Sequence, residues 1–120
     1  MNLARNHEGN QLAIACAGGI PAIVAAMNSH TTNPEVQQNG CEALLNLAWN
    51  HEGNQLAIAH AGAIPAIVAA MKSHAINYKV QQKGCEALEC LSRDHECNQR
   101  AIACAGGIPA KLMSTSHPFC

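Results

Sequence analysis

"NHEGNQLAIACAGGIPAIVAAM" occupies residues 6–27, and "NHEGNQLAIAHAGAIPAIVAAM" follows at residues 50–71. A third version, "DHECNQRAIACAGGIPAKLM", fills residues 94–113. Asn6, Asn50 and Asp94 are spaced by 44 residues, and Pro21, Pro65 and Pro109 keep the same step. Residues 6–49 and 50–93 are identical at 32 of 44 positions. "MNLARN" at residues 1–6 matches "LNLAWN" at residues 45–50. The chain thus divides into the tail of a unit (1–5), two whole units (6–49 and 50–93) and a partial third (94–120), about two and two-thirds repeats. A period in the forties without strand-like alternation predicts an all-α helical solenoid in one continuous domain.

Composition agrees. Apolar residues make up 48% of the 120, yet Trp49, Tyr78 and Phe119 are the only aromatics. A core of Ala, Ile, Leu, Val and Met suits closely packed short helices. The net charge of −1 carries no overall footprint for nucleic acid or an anionic membrane. No run reaches the roughly 18 apolar residues of a spanning helix, and no signal peptide opens the sequence. Seven cysteines, an odd number without a secretory signal, argue against a disulfide framework and for a reducing cytosol or nucleus. Cys41 and Cys85 are repeat equivalents, as are Cys16 and Cys104, so each pair reads as one small buried slot filled repeatedly.

Each unit reads as three helices. In "GNQLAIACA", Leu12, Ile14 and Ala15 form a short amphipathic run that Gly18 ends in the left-handed region. Pro21 fits a first helical position, and Ile20, Ile23, Val24 and Met27 keep the rhythm of a buried face. Asn33 is the expected N-cap of a long third helix, with Pro34 and Glu35 in its first turn. On that helix Val36, Gly40, Cys41, Ala43, Leu44, Leu47 and Ala48 form the packed side. Gly40 in mid-helix costs about 1 kcal/mol against alanine, and its return as Gly84 implies a neighbour too close for a methyl group.

These residues resemble the armadillo repeat family. The first half of its pattern stands here as Asn10, Ile14, Ala17, Gly18, Gly19, Ile20, Pro21 and Val24. The second half stands as Pro34, Glu35, Val36, Gln37, Ala43, Leu44, Asn46, Leu47 and Ala48. The family period is commonly about 42 residues, and the two extra residues here fall in "SHTTNP" and "SHAINY". The resemblance implies a right-handed superhelix of three-helix repeats whose third helices line a concave, peptide-binding groove. It also implies a partner-contacting asparagine late in the third helix: Asn46 and Asn2 match it, and Cys90 replaces it. Glu42 and Glu86 stand where peptide-binding members carry tryptophan.

The expected function is therefore a protein-interaction module without catalytic residues or cofactor, holding a protein or extended peptide. The expected groove comprises Gln38, Glu42, Asn46, Trp49, Gln82, Glu86, Cys90 and Arg93. Glu42, Glu86 and Glu89 favour a basic or polar ligand, with Lys83 and Arg93 opposing. The 12 differences between the whole units gather in the loop before the third helix and late in that helix (Leu45/Glu89, Asn46/Cys90, Ala48/Ser92, Trp49/Arg93). Such tolerance marks exposed positions. The alternative function is self-association into a homo-oligomer, or membership of a longer array, through uncovered apolar residues: Leu3 at one end and Ile102, Ile108, Leu112 and Met113 at the other. A zinc site from Cys85, Cys90, His95 and Cys97 is the remote alternative, because the spacing fits no usual finger. His95 repeats His7 and His51, where helix capping or packing accounts for a histidine.

Overall fold

A helix begins where a side chain can accept the free N–H groups of the first turn, and this sequence places such a residue before most helices. The computed structural model describes residues 7–93 and 95–104, with the side chains of Glu96 and Cys97 excepted. Among the described residues there are seven α-helices and no strands. They run α1 (Glu8–Cys16), α2 (Gly19–Ser29), α3 (Pro34–Ala48), α4 (Glu52–His60), α5 (Ala63–Ser73), α6 (Tyr78–Ser92) and α7 (Glu96–Cys104). The short–medium–long order of α1–α3 recurs in α4–α6, as the 44-residue period predicts.

The caps explain these boundaries. Asn33 Oδ1 accepts from the backbone N–H of Glu35 and Val36 at 3.0 and 3.2 Å. His7 and His51 cap α1 and α4 through Nδ1, which accepts from the N–H of Asn10 and Asn54 at 3.2 and 3.1 Å. Gly18 and Gly62 separate the first two helices of each triad with φ of 86° and 85°, and the axes bend there by 68° and 71°. Pro21 stands third in α2, not first as the sequence suggested. It remains harmless, because the first intrahelical bond of α2 is Ala22 N–H to Gly18 O at 3.3 Å, one residue later.

The triads stack like on like. The most extensive contact lies between the long helices α3 and α6, and α2 meets α5 while α1 meets α4. Ile20, Val24 and Met27 of α2, Leu44 and Leu47 of α3, and Ile64, Ile67 and Val68 of α5 share one buried core with Val80, Leu88 and Leu91 of α6. Identical letters differ in burial because α4–α6 lie between the first triad and α7. Ile58 and Val80 are fully buried where Ile14 and Val36 are only half-buried. Leu12, assigned by the sequence to an apolar run, is 52% exposed. The buried side chain of α1 is instead Gln11.

Gly40 is close-packed, as expected, but its neighbour is a side chain and not a helix backbone. A Cβ there would stand 2.6 Å from Met27 Cγ, and one at Gly84 would stand 2.6 Å from Met71 Sδ.

The polar groups inside this core are amides, and they close the ends of the helices. Gln11 Nε2 donates to the carbonyls of Asn46 and Trp49 at 3.0 and 2.9 Å. Asn54 Nδ2 donates to Leu47 O at 2.9 Å, and Gln55 Nε2 to Ala48 O at 2.9 Å. Four consecutive carbonyls at the end of α3 thus receive side-chain donors. Asn98 and Gln99 repeat the arrangement on Leu91 and Ser92 at the end of α6. Gln37 and Gln81 each bridge two carbonyls where α2 and α5 stop.

Replacing Gln37 with leucine keeps the volume and strands the Met27 carbonyl, while His30 O keeps only the N–H of Asn33, so denaturant unfolding is expected to show a loss of about 1–3 kcal/mol. Gly40→Ala is expected to lose roughly 1 kcal/mol or more through overpacking against Met27. Helix propensity alone gives the opposite sign, a gain of about 1 kcal/mol, so the same unfolding curves separate the two effects.

Candidate interaction surface

Where α3 and α6 end side by side, their C-terminal residues leave a trough. Trp49 and Arg93 are the C-cap residues of the two helices and share an extended backbone conformation. Asn50 turns the chain with φ 51°, a left-handed value that asparagine tolerates. One hollow of about 280 Å³ is lined by Trp49, Asn50, His51, Glu52, Gln55, Cys90, Arg93 and His95. A second, of about 180 Å³, is lined by Leu45, Trp49, Glu86, Glu89, Cys90 and Arg93. Trp49, Cys90 and Arg93 belong to both, so the hollows form one trough across the ends of α3 and α6.

The trough walls are held by hydrogen bonds. Gln55 is fixed by its Nε2–H on Ala48 O, which turns Oε1 toward His95. The imidazole Nε2–H of His95 therefore donates to Gln55 Oε1 at 2.7 Å. His51 is fixed by its capping bond to Asn54 N–H.

Charge along α3 and α6 is largely paired. Lys83 Nζ lies 3.8 Å from Glu42 Oε2 and 3.6 Å from Glu86 Oε1, joining the two long helices. Arg93 pairs with Glu89 at 3.7 Å, with both side chains more than half exposed. Such exposed pairs contribute little to stability.

The residues singled out from the sequence fall into three groups. Trp49, Glu86, Cys90 and Arg93 line the trough. Gln38, Gln82 and Glu42 lie on α3 and α6 but outside both hollows, Glu42 tied to the trough through Lys83. Asn46 is buried at 5% exposure, beneath the amides that bind the end of α3, and is not on the surface. The expectation that the variable late-helix positions are exposed likewise fails in the first triad. Leu45, Asn46 and Ala48 are buried, while Glu89 and Arg93 are exposed, because α6 covers α3.

The sequence reading missed Asn50, His51, Glu52, Gln55 and His95 as trough residues. The signal was the polar "NHEGNQ" at residues 6–11 and 50–55, which returns as "DHECNQ" at residues 94–99.

Of the residues assigned to uncovered ends, Ile102 is 2% exposed and packed into the core. Leu3, Ile108, Leu112 and Met113 lie outside the described residues, as does Asn2. Among the described residues, no group of three or more His, Cys, Asp or Glu side chains gathers as metal ligands do. Cys97 of the expected zinc set lies outside the described side chains. Cys85 is exposed where its repeat equivalent Cys41 is fully buried. A one-unit translation carries a position between layers onto the outer side of α6.

No family model matches the chain, nor does any curated protein or solved structure.

Burial pushes the Cys41 thiol up to about 12, and the thiolate is the reactive form. In the folded protein, site-resolved alkylation is expected to label Cys16, Cys85 and Cys104, all exposed, and to leave Cys41 unmodified until denaturant is added.

Proposed function

We propose that this chain is a non-catalytic binding module of the armadillo-like solenoid type, holding an extended peptide segment of a partner protein in the trough. The observation that carries the reading is the continuity of the two hollows through Trp49, Cys90 and Arg93. Equivalent residues on packed helices stand about 10 Å apart, and an extended peptide rises about 3.3 Å per residue. Every third ligand side chain therefore meets an equivalent position on the next long helix. Trp49 offers an apolar and aromatic surface. Glu52, Glu86 and Glu89 outnumber Arg93 along the lining, so a segment carrying a Lys or Arg beside an apolar residue fits best. Lys83 moderates this preference by occupying Glu86 and Glu42. The armadillo assignment rests on the sequence pattern and the recurring helix triad together.

Trp49 is the sole tryptophan, so its emission reports directly on the trough. Peptides with a basic residue beside an apolar one are expected to shift that emission, and Glu86→Ala with Arg93→Ala to change their affinity several-fold. A peptide that binds without altering Trp49 emission, and equally well in the double variant, places the binding surface elsewhere.

Self-association is a second reading with one observation in its favour. Gln99 Oε1 is buried without a hydrogen-bond partner among the described residues, whereas its equivalent Gln55 Oε1 receives the imidazole of the following unit. A further layer stacked on α7 would supply that donor. Light scattering over a concentration range is expected to show a reductant-independent oligomer if a second copy supplies it, and a monomer at all concentrations if none does.

A further inference from the structure

The two whole units act as each other's control, and at one end four of their five differences, all but Thr31/Ala75, run in a single direction. Residues 6–49 contain no lysine or arginine. In the second unit, Asn28, Thr32, Pro34 and Glu35 are replaced by Lys72, Ile76, Tyr78 and Lys79. All four replacements sit around the turn between α5 and α6. Each puts a cation or a large apolar side chain where the first unit has a small, polar or acidic residue.

Local helix chemistry accounts for Lys72, a cation in the last turn of α5, but not for the other three replacements. Proline is favoured at the first position of a helix, and an acidic residue in its first turn is favoured by the helix dipole. The first unit has both, in Pro34 and Glu35. The second puts Tyr78 and Lys79 there, with a cation at the positive end of the dipole. Its cap is also thinner: Asn77 Oδ1 accepts from Val80 N–H, whereas Asn33 serves two donors. Nor does packing account for them. Ile76 is 100% exposed and Tyr78 is 67% exposed. Lys79 Nζ lies 5.4 Å from the Tyr78 ring centroid. Ile76, Tyr78 and Lys79 are all exposed and line neither half of the trough, so the turn projects as a tip. Glu35, on the matching turn of α3, is the acidic residue of this end and forms no ion pair with Lys79.

We propose that this tip is a peripheral contact for an anionic lipid surface. Ile76 and the ring of Tyr78 enter the boundary between headgroups and acyl chains, while Lys72 and Lys79 lie against anionic headgroups. The shape decides between a bilayer and an acidic protein. A stable protein interface needs about 800 Å² from each partner, more than a single projecting turn offers. A lipid layer deforms around a small apolar protrusion, and tyrosine suits its interface. Cations beside the inserted residues add attraction that salt weakens. Lys83 is not part of the contact, being held by Glu42 and Glu86. The net charge of −1 concealed this local concentration of lysines. The tip stands at the N-terminal end of α6 and the trough at its C-terminal end, roughly 20 Å along the helix. Lipid contact and peptide binding are therefore independent of each other.

The test is co-sedimentation with vesicles of equal parts phosphatidylserine and phosphatidylcholine, against vesicles of phosphatidylcholine alone. The comparison variant carries Lys72→Asn, Ile76→Thr, Tyr78→Pro and Lys79→Glu. Every introduced residue is copied from the first unit, where the equivalent backbone carries it, and a thermal melt confirms the fold. Expected are a bound fraction several-fold higher on the anionic vesicles, its decline as salt is raised, and its loss in the variant. No sedimentation, equal sedimentation on both vesicles, or undiminished binding by the variant overturns the proposal. Binding to a polyglutamate peptide without binding to vesicles also overturns it and assigns the tip to an acidic protein partner.

Discussion

The structure depends on side-chain amides bonding to the carbonyls where helices stop. A helix leaves its last C=O groups without intrahelical partners, and burying them unpaired costs about 1–3 kcal/mol each. Short helices have many ends relative to their length, so the seven among the described residues make this the dominant polar problem of the fold. Glycine caps are spent elsewhere, on the bends at Gly18 and Gly62. The long helices end at Trp49 and Arg93 without glycine, and beyond the backbone N–H groups of His51 and His95 the donors come from the side chains of neighbouring elements. Gln11 reaches the end of α3 from α1, while Asn54 and Gln55 reach it from α4. The bonds that finish one helix therefore also fix the position of the next layer.

That coupling builds the trough. Because Asn54 and Gln55 hold α4 against the end of α3, the turn at Asn50 is drawn tight and Trp49 is left at the rim. The same geometry at Asn98 and Gln99 places Arg93 beside it on the next layer. Within each unit, Met27 and Met71 fill the space above Gly40 and Gly84 and hold the second helix against the third. Specific side chains at the rim can then vary without disturbing the layers, as Trp49 and Arg93 illustrate.

Burial and charge follow the layer order more than the residue type. Leu45 is covered by α6, and its equivalent Glu89 is exposed and paired with Arg93. Lys83 replaces the first unit's Asn39 and ties Glu42 to Glu86 across the layers. At Glu89 and Arg93 the second unit thus carries charged residues where the first carries Leu45 and Trp49. Near-identical sequences give two layers with different surfaces, one end presenting a trough and the other a projecting turn.

The repeat period, the helical class, the three-helix order and the caps at Gly18 and Asn33 were all legible in the sequence. Each depends on residues within a few positions of one another, and the repetition states each signal twice. The close approach at Gly40 was legible too, because glycine in mid-helix needs a reason. What the sequence left open was which side of each helix faces another layer. Leu12 and Ile58 show why: the 3.6-residue rhythm marks an apolar side without saying whether a neighbour covers it. Asn46 was misplaced for the same reason, since only the stacking of α6, α1 and α4 around α3 buries it. The amide network was present in the text as "NQ" at the head of each unit, yet its acceptors lie 7 to 43 residues away. Local pattern determined the helices of this protein; contacts between distant segments decided which of their residues remain available to a partner.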